Sequence, residues 1–86
     1  MIKQTVLDRF TKSQRKQLSM SLPCGEVTRD LQHALNALDE ILTDYEAHDW
    51  CDHPAYRRYY RIFNITARAL LHVTKVLRRS GGPKFV

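Results

Sequence analysis

The stretch PAYRRYYRIFNITARALLHVTKVLRRS, residues 54–80, decides how the chain folds. Tyr56, Tyr59, Phe63, Thr66, Leu70, Val73 and Leu77 recur at alternating steps of three and four, which lines them along one face of an α-helix. Pro54 suits an early helical position, where its missing N–H would have no partner anyway, with Asp52 or His53 as the cap. Gly81-Gly82-Pro83 supplies the stop.

Reading back from that helix, residues 26–47 carry a second heptad of Val27, Leu31, Ala34, Leu38, Ile41 and Tyr45, widened by Leu35 and Leu42. Glu26 and Asp30 complement the dipole at its start. The connection between the two helices is short, so they are expected to be antiparallel neighbours. Pro23-Cys24-Gly25 interrupts helix on the N-terminal side. Before it, Ile2, Val6, Phe10 and Leu18 form a patchy apolar stripe over one helix or two short ones, with Thr5/Asp8 or Thr11/Gln14 as capping pairs. The expected fold is all-α: an antiparallel helical hairpin with an additional N-terminal helix, a three-helix bundle in one small domain, 1–86. Its helices cover about 4–19, 26–47 and 54–80, followed by a basic C-terminal tail, 81–86.

The hairpin does not account for every apolar residue. Ile65 and Leu71 fall outside the seam of the last helix, and Ile62, Ala69 and Val76 broaden one flank. That width calls for burial on more than one side, by the N-terminal helix or by a second copy completing a four-helix bundle. A chain of 86 residues buries only about 60% of its unfolded surface, so help from a homodimer is in keeping with its size.

Composition narrows the function classes. At 43% hydrophobic and 27% charged the chain is too apolar for intrinsic disorder. No run approaches about 18 apolar residues, so no membrane span is expected. Met1–Leu7 has no sustained apolar core and is followed by Asp8, Arg9 and Lys12, which points to a cytoplasmic protein whose two cysteines stay reduced. Cys24 and Cys51 flank a helix of about 22 residues, roughly 30 Å long, which argues against a disulfide between them.

Charge is strongly segregated. Residues 1–23, 24–52 and 53–86 carry +4, −7 and +8, and the last third has no acidic residue at all. Internal neutralisation of the acidic helix by the basic one is the plainest explanation, but heptad placement opposes it. Positions e and g, from which neighbouring helices exchange ion pairs, hold Tyr60, Ile62, Ala67, Ala69, Thr74 and Val76. Arg61, Arg68 and Lys75 occupy successive f positions, with Arg57 and Arg79 within about 40° of that row. The resulting outward stripe is roughly 33 Å long. Together with Arg58, Arg78 and the aromatic ring of Tyr60 it forms the candidate surface for nucleic acid, for a nucleoprotein complex or for an acidic protein. A merely solvated face is the alternative.

His48-Asp49-Trp50-Cys51-Asp52-His53 is the one stretch with ligand chemistry. His48, Cys51 and His53 are weak zinc candidates, because their spacing matches no standard zinc pattern; a polar connection capped by Trp50 is the simpler reading. Arg29/His33 and Arg68/His72 echo each other, yet their spacing fits no catalytic pair. With no nucleophile pair, phosphate loop or paired carboxylates, the expectation is a non-enzymatic protein without cofactors. Size and basicity suit a stoichiometric regulator or inhibitor of the kind that phages and mobile elements encode.

Overall fold

The computed structural model describes residues 2–19 and 25–79, without the side chains of Ser19, Leu77, Arg78 and Arg79. Cys24, the glycine-proline stop and the 81–86 tail lie outside the described residues. Four helices follow in order: α1 (Gln4–Leu7), α2 (Lys12–Ser19), α3 (Glu26–Ala47) and α4 (Pro54–Arg79), with no strand among the described residues. Helices α3 and α4 form the expected hairpin and α1 lies against α3. No helix among the described residues is long and apolar enough to cross a membrane.

The N-terminal region is two short helices rather than one. Thr11 and Gln14 make a reciprocal capping box: the Thr11 N–H donates to Gln14 Oε1 and the Gln14 N–H to Thr11 Oγ1, both at 3.2 Å. Thr5 does not cap. Its hydroxyl reaches across to Asp39 Oδ2 at 2.7 Å.

The hairpin turn is built from backbone. The Asp49 N–H donates to Glu46 O and the Trp50 N–H to Tyr45 O, with Asp49 in the left-handed region at φ 58°. This is a Schellman ending, and its usual apolar contact is present as Trp50 set edge-on against Tyr45, with centroids 5.6 Å apart. Trp50 keeps 49% of its surface exposed, so it covers the bundle end only in part. His53 caps α4, its Nδ1 accepting the Ala55 N–H at 3.0 Å.

The buried faces of both long helices are rotated from the seams read in the sequence. On α3 the buried residues are Thr28, Leu35, Asp39 and Leu42, while Val27 is 60% exposed. On α4 they are Phe63, Ala67, Leu70 and Thr74, so the small residues expected beside the seam sit inside it. The cause is the N-terminal segment, which packs on that side: Phe10 stacks on Phe63 at 5.4 Å, and Val6, Phe10 and Leu18 join the core of the hairpin. Such a ring pair adds roughly 0.5–1.5 kcal/mol beyond its buried area. Thr74 is tolerated there because its hydroxyl returns to Leu70 O at 2.8 Å.

Arg9 ties this segment to both long helices. Its Nε donates to Asp39 Oδ1 at 2.7 Å, and its Nη atoms donate to both Glu46 carboxylate oxygens, at 2.8 and 3.0 Å, and to Thr43 Oγ1 at 3.1 Å. The guanidinium carbon lies 5.8 Å from the Tyr60 ring centre and 6.0 Å from that of Phe63. Lys3 adds a rim pair to Glu40 at 2.6 Å. Asp39 is 3% exposed, so removing its partner leaves a buried charge. Arg9→Met is expected to cost about 3–5 kcal/mol in urea unfolding, and Arg9→Met/Asp39→Leu to recover most of that loss. Additive losses in the two single variants and the double variant would show that Arg9 and Asp39 do not act as a pair.

Candidate nucleic-acid interface

Helix α4 presents Arg57, Arg58, Arg61, Arg68 and Lys75 as exposed side chains, and none of the five is paired with a carboxylate among the described residues. Three acids of α3, Asp39, Glu40 and Glu46, are instead met from the N-terminal segment, by Lys3 and Arg9. The sequence places Arg78 and Arg79 at the end of the same helix, outside the described side chains.

Three stripe residues share a depression. Arg57, Arg61 and Arg68 line an open hollow of about 740 Å³ with Asn64, Tyr56, Tyr60, Ile65 and Cys51. Lys75 continues the row further along, two turns beyond Arg68. Arg58 is about 100° around the helix from Arg57 and does not line the hollow. The hollow therefore offers three guanidiniums, each able to form bidentate bonds to a phosphate, and an amide.

Tyr60 is not the free outward ring that its sequence position indicates. It is half-buried, with Arg9 over its ring and the rings of Tyr56 and Phe63 at 5.8 and 6.0 Å. Its remaining surface lines the hollow, which favours phosphate and sugar contacts over stacking of bases. Tyr56 is likewise half-buried, and its hydroxyl donates to Glu46 Oε2 at 2.6 Å. The floor of the hollow is thus joined to the Arg9 cluster through one carboxylate.

That carboxylate titrates abnormally. Hydrogen bonds from Arg9, foremost, and from Tyr56 hold Glu46 below the ordinary carboxylate range despite its partial burial. Burial and the bond to Glu46 push the Tyr56 phenol up to about 12.

The loop candidates are occupied with structural work. His48 Nδ1 bonds Asp44 O at 2.8 Å and its ring stacks on Trp50 at 4.5 Å. His53 Nδ1 caps α4, which places its proton on Nε2 when the ring is neutral, and the ring packs edge-on against Tyr45 at 5.7 Å. Cys51 is exposed and free. Among the described residues no group of three His, Cys, Asp or Glu side chains is placed to hold a metal ion. Arg29, His33, Arg68 and His72 are all exposed.

The element missing from the sequence reading is Arg9 itself. Its signal was its place beside Val6 and Phe10, at the edge of the N-terminal apolar stripe, together with an aspartate, Asp39, lying between Leu35 and Leu42 on a helix face that is otherwise apolar. Comparison with protein-family models, with curated proteins and with solved structures gave no match.

The titration of Tyr56 is testable. Its folded value lies above that of an unfolded tyrosine near 10, so burial of the neutral phenol, with its bond to Glu46, contributes stability that is complete below pH 10 and lost as pH rises through about 12. The Glu46 share is complete above the ordinary carboxylate value and lost as pH falls through its lowered folded value. An ultraviolet titration should find a tyrosine step near pH 12 that is absent from Tyr56→Phe, with about 1 kcal/mol of stability lost in that variant at neutral pH. A titration with no high-pH step that Tyr56→Phe removes would exclude the bond.

Proposed function

We propose that the chain is a small non-enzymatic binding protein that docks through the basic face of α4 on nucleic acid, free or within a nucleic-acid-processing complex. It acts there stoichiometrically, as a regulator or inhibitor, a role suited to a phage or another mobile element. A cytoplasmic setting goes with this reading. The observation that carries it is the unpaired, exposed row of Arg57, Arg61, Arg68 and Lys75, in a chain whose neighbouring helix is rich in carboxylates. A row of cations left without internal partners is a phosphate-binding surface in waiting, because it gains by releasing the counterions of a polyanion.

A second reading is docking on an acidic protein surface. Ile65 favours it, since an apolar side chain 54% exposed beside Arg61 and Arg68 would seat in a protein cleft more readily than on a phosphate backbone. Titration of the purified chain with double-stranded DNA and with single-stranded RNA separates the two. With nucleic acid as the partner, four phosphate contacts give a slope of log affinity against log salt of about −3 to −4 on duplex DNA. Arg61→Glu/Arg68→Glu should flatten that slope by about 2 and weaken binding at all sequences tested. Affinity that is independent of salt, or unchanged in the double variant, would refute the nucleic-acid reading.

A further inference from the structure

The hairpin has two broad faces, and the N-terminal segment covers one of them. Counted at about 100° per residue from the buried Leu35, Asp39 and Thr43 lie roughly 40–80° to one side of α3, where Arg9 grips them. Counted from the buried Phe63, Tyr60 and Ala67 lie about 40–60° to the same side of α4. In an antiparallel pair, equal senses of rotation on the two helices face the same way, so these residues together mark the covered face.

The opposite face holds two rows spaced by seven. Val27, Ala34 and Ile41 lie roughly 80–120° from Leu35 on the other side of α3, and Ile62, Ala69 and Val76 lie about 100–140° from Phe63 on the other side of α4. Val27 is 60%, Ile62 47% and Val76 44% exposed, and the remaining three are half-buried. The Glu46–Tyr56 hydrogen bond sets the register, which brings Ile41 level with Ile62 and Ala34 level with Ala69 to within one residue. Each row is uncharged, and the charges begin at its outer edge. On α3 that rim carries Asp30 and Asp44; on α4 it carries Arg58, all exposed.

We propose that a second copy of this chain docks on this face and completes an antiparallel four-helix bundle, with α3 of each copy packed against α4 of the other. Charge selects both the occupant and the arrangement. A two-fold axis parallel to the helices lays the acidic rim of α3 along the basic rim of the partner's α4, placing Asp44 opposite Arg58. An axis across the helices would lay acid on acid and base on base. Both arrangements make every neighbouring helix pair antiparallel, so charge alone separates them. The stripe of Arg57, Arg61, Arg68 and Lys75 lies about 120–160° from Phe63 in the sense of the covered side of α4 and stays outside this interface, so dimerisation stands apart from nucleic-acid binding.

Sedimentation equilibrium of the intact chain tests the proposal. The expected species has about twice the 10.1 kDa monomer mass at micromolar concentration. Ile62→Glu should shift it to monomer with its helical circular dichroism retained. Asp44→Arg and Arg58→Glu should each weaken self-association about tenfold, and mixing the two variants should restore a dimer, because each α3–α4 contact across the axis then joins opposite charges. Monomer at every concentration overturns the proposal. So does a wild-type dimer that Ile62→Glu leaves intact, or paired charge variants whose mixture associates no better than either alone; the second result would point to another face, the third to another arrangement.

Discussion

The grip of Arg9 on Asp39 and Glu46 is the interaction on which the arrangement depends. A chain this small has few apolar side chains to fix how its segments meet, and the core among the described residues is eight side chains. Arg9 supplies direction where burial supplies only adhesion. Four of its five donors go to two carboxylates and a threonine hydroxyl on α3, while its flat face lies against Tyr60 and Phe63 of α4. One side chain therefore sets the position of the N-terminal segment against both helices of the hairpin. The bond between Tyr56 and Glu46 closes the circuit back to α4.

That grip also divides the charges of the molecule. The carboxylates at 39, 40 and 46 are neutralised by Lys3 and Arg9, from a segment that sequence alone ranks as weakly helical. The α4 cations are thereby released from internal pairing and stand outward. The same packing turns both long helices: Ala67 and Thr74 lie inside with Phe10 and Phe63, while Val27 and Ile62 stay exposed. Each side of the hairpin then has its own character: a covered polar-and-aromatic side, an uncharged heptad side, and the basic outer edge of α4.

The helices of the hairpin were legible because Pro54, the heptads and the break before Glu26 are local signals. The outward direction of Arg61 and Arg68 was legible for the same reason, since it follows from spacing within one helix. The rotation of the seams was not, because it is imposed by Val6 and Phe10 arriving from about 30–60 residues away in sequence, and periodicity within a helix of half-apolar faces leaves its angle open. The Arg9 cluster was hidden for the same reason, its partners being 30–37 residues distant. In the 48–53 stretch, where a polar connection is the simpler reading, His48, Trp50 and His53 are engaged in a Schellman ending, a ring stack and a helix cap, contacts that residue type and spacing do not reveal.

The central claim is that the basic edge of α4 is dispensable for folding while Arg9 is not. The most direct test is thermal unfolding at low ionic strength of a variant with Arg57, Arg61, Arg68 and Lys75 all replaced by glutamine, measured beside Arg9→Gln. The expected result is an unchanged or raised midpoint for the first, since mutual repulsion is relieved, and a clear fall for the second. A fall in the four-residue variant as large as that in Arg9→Gln would contradict the claim, because it would mean that those cations serve the fold of the chain itself.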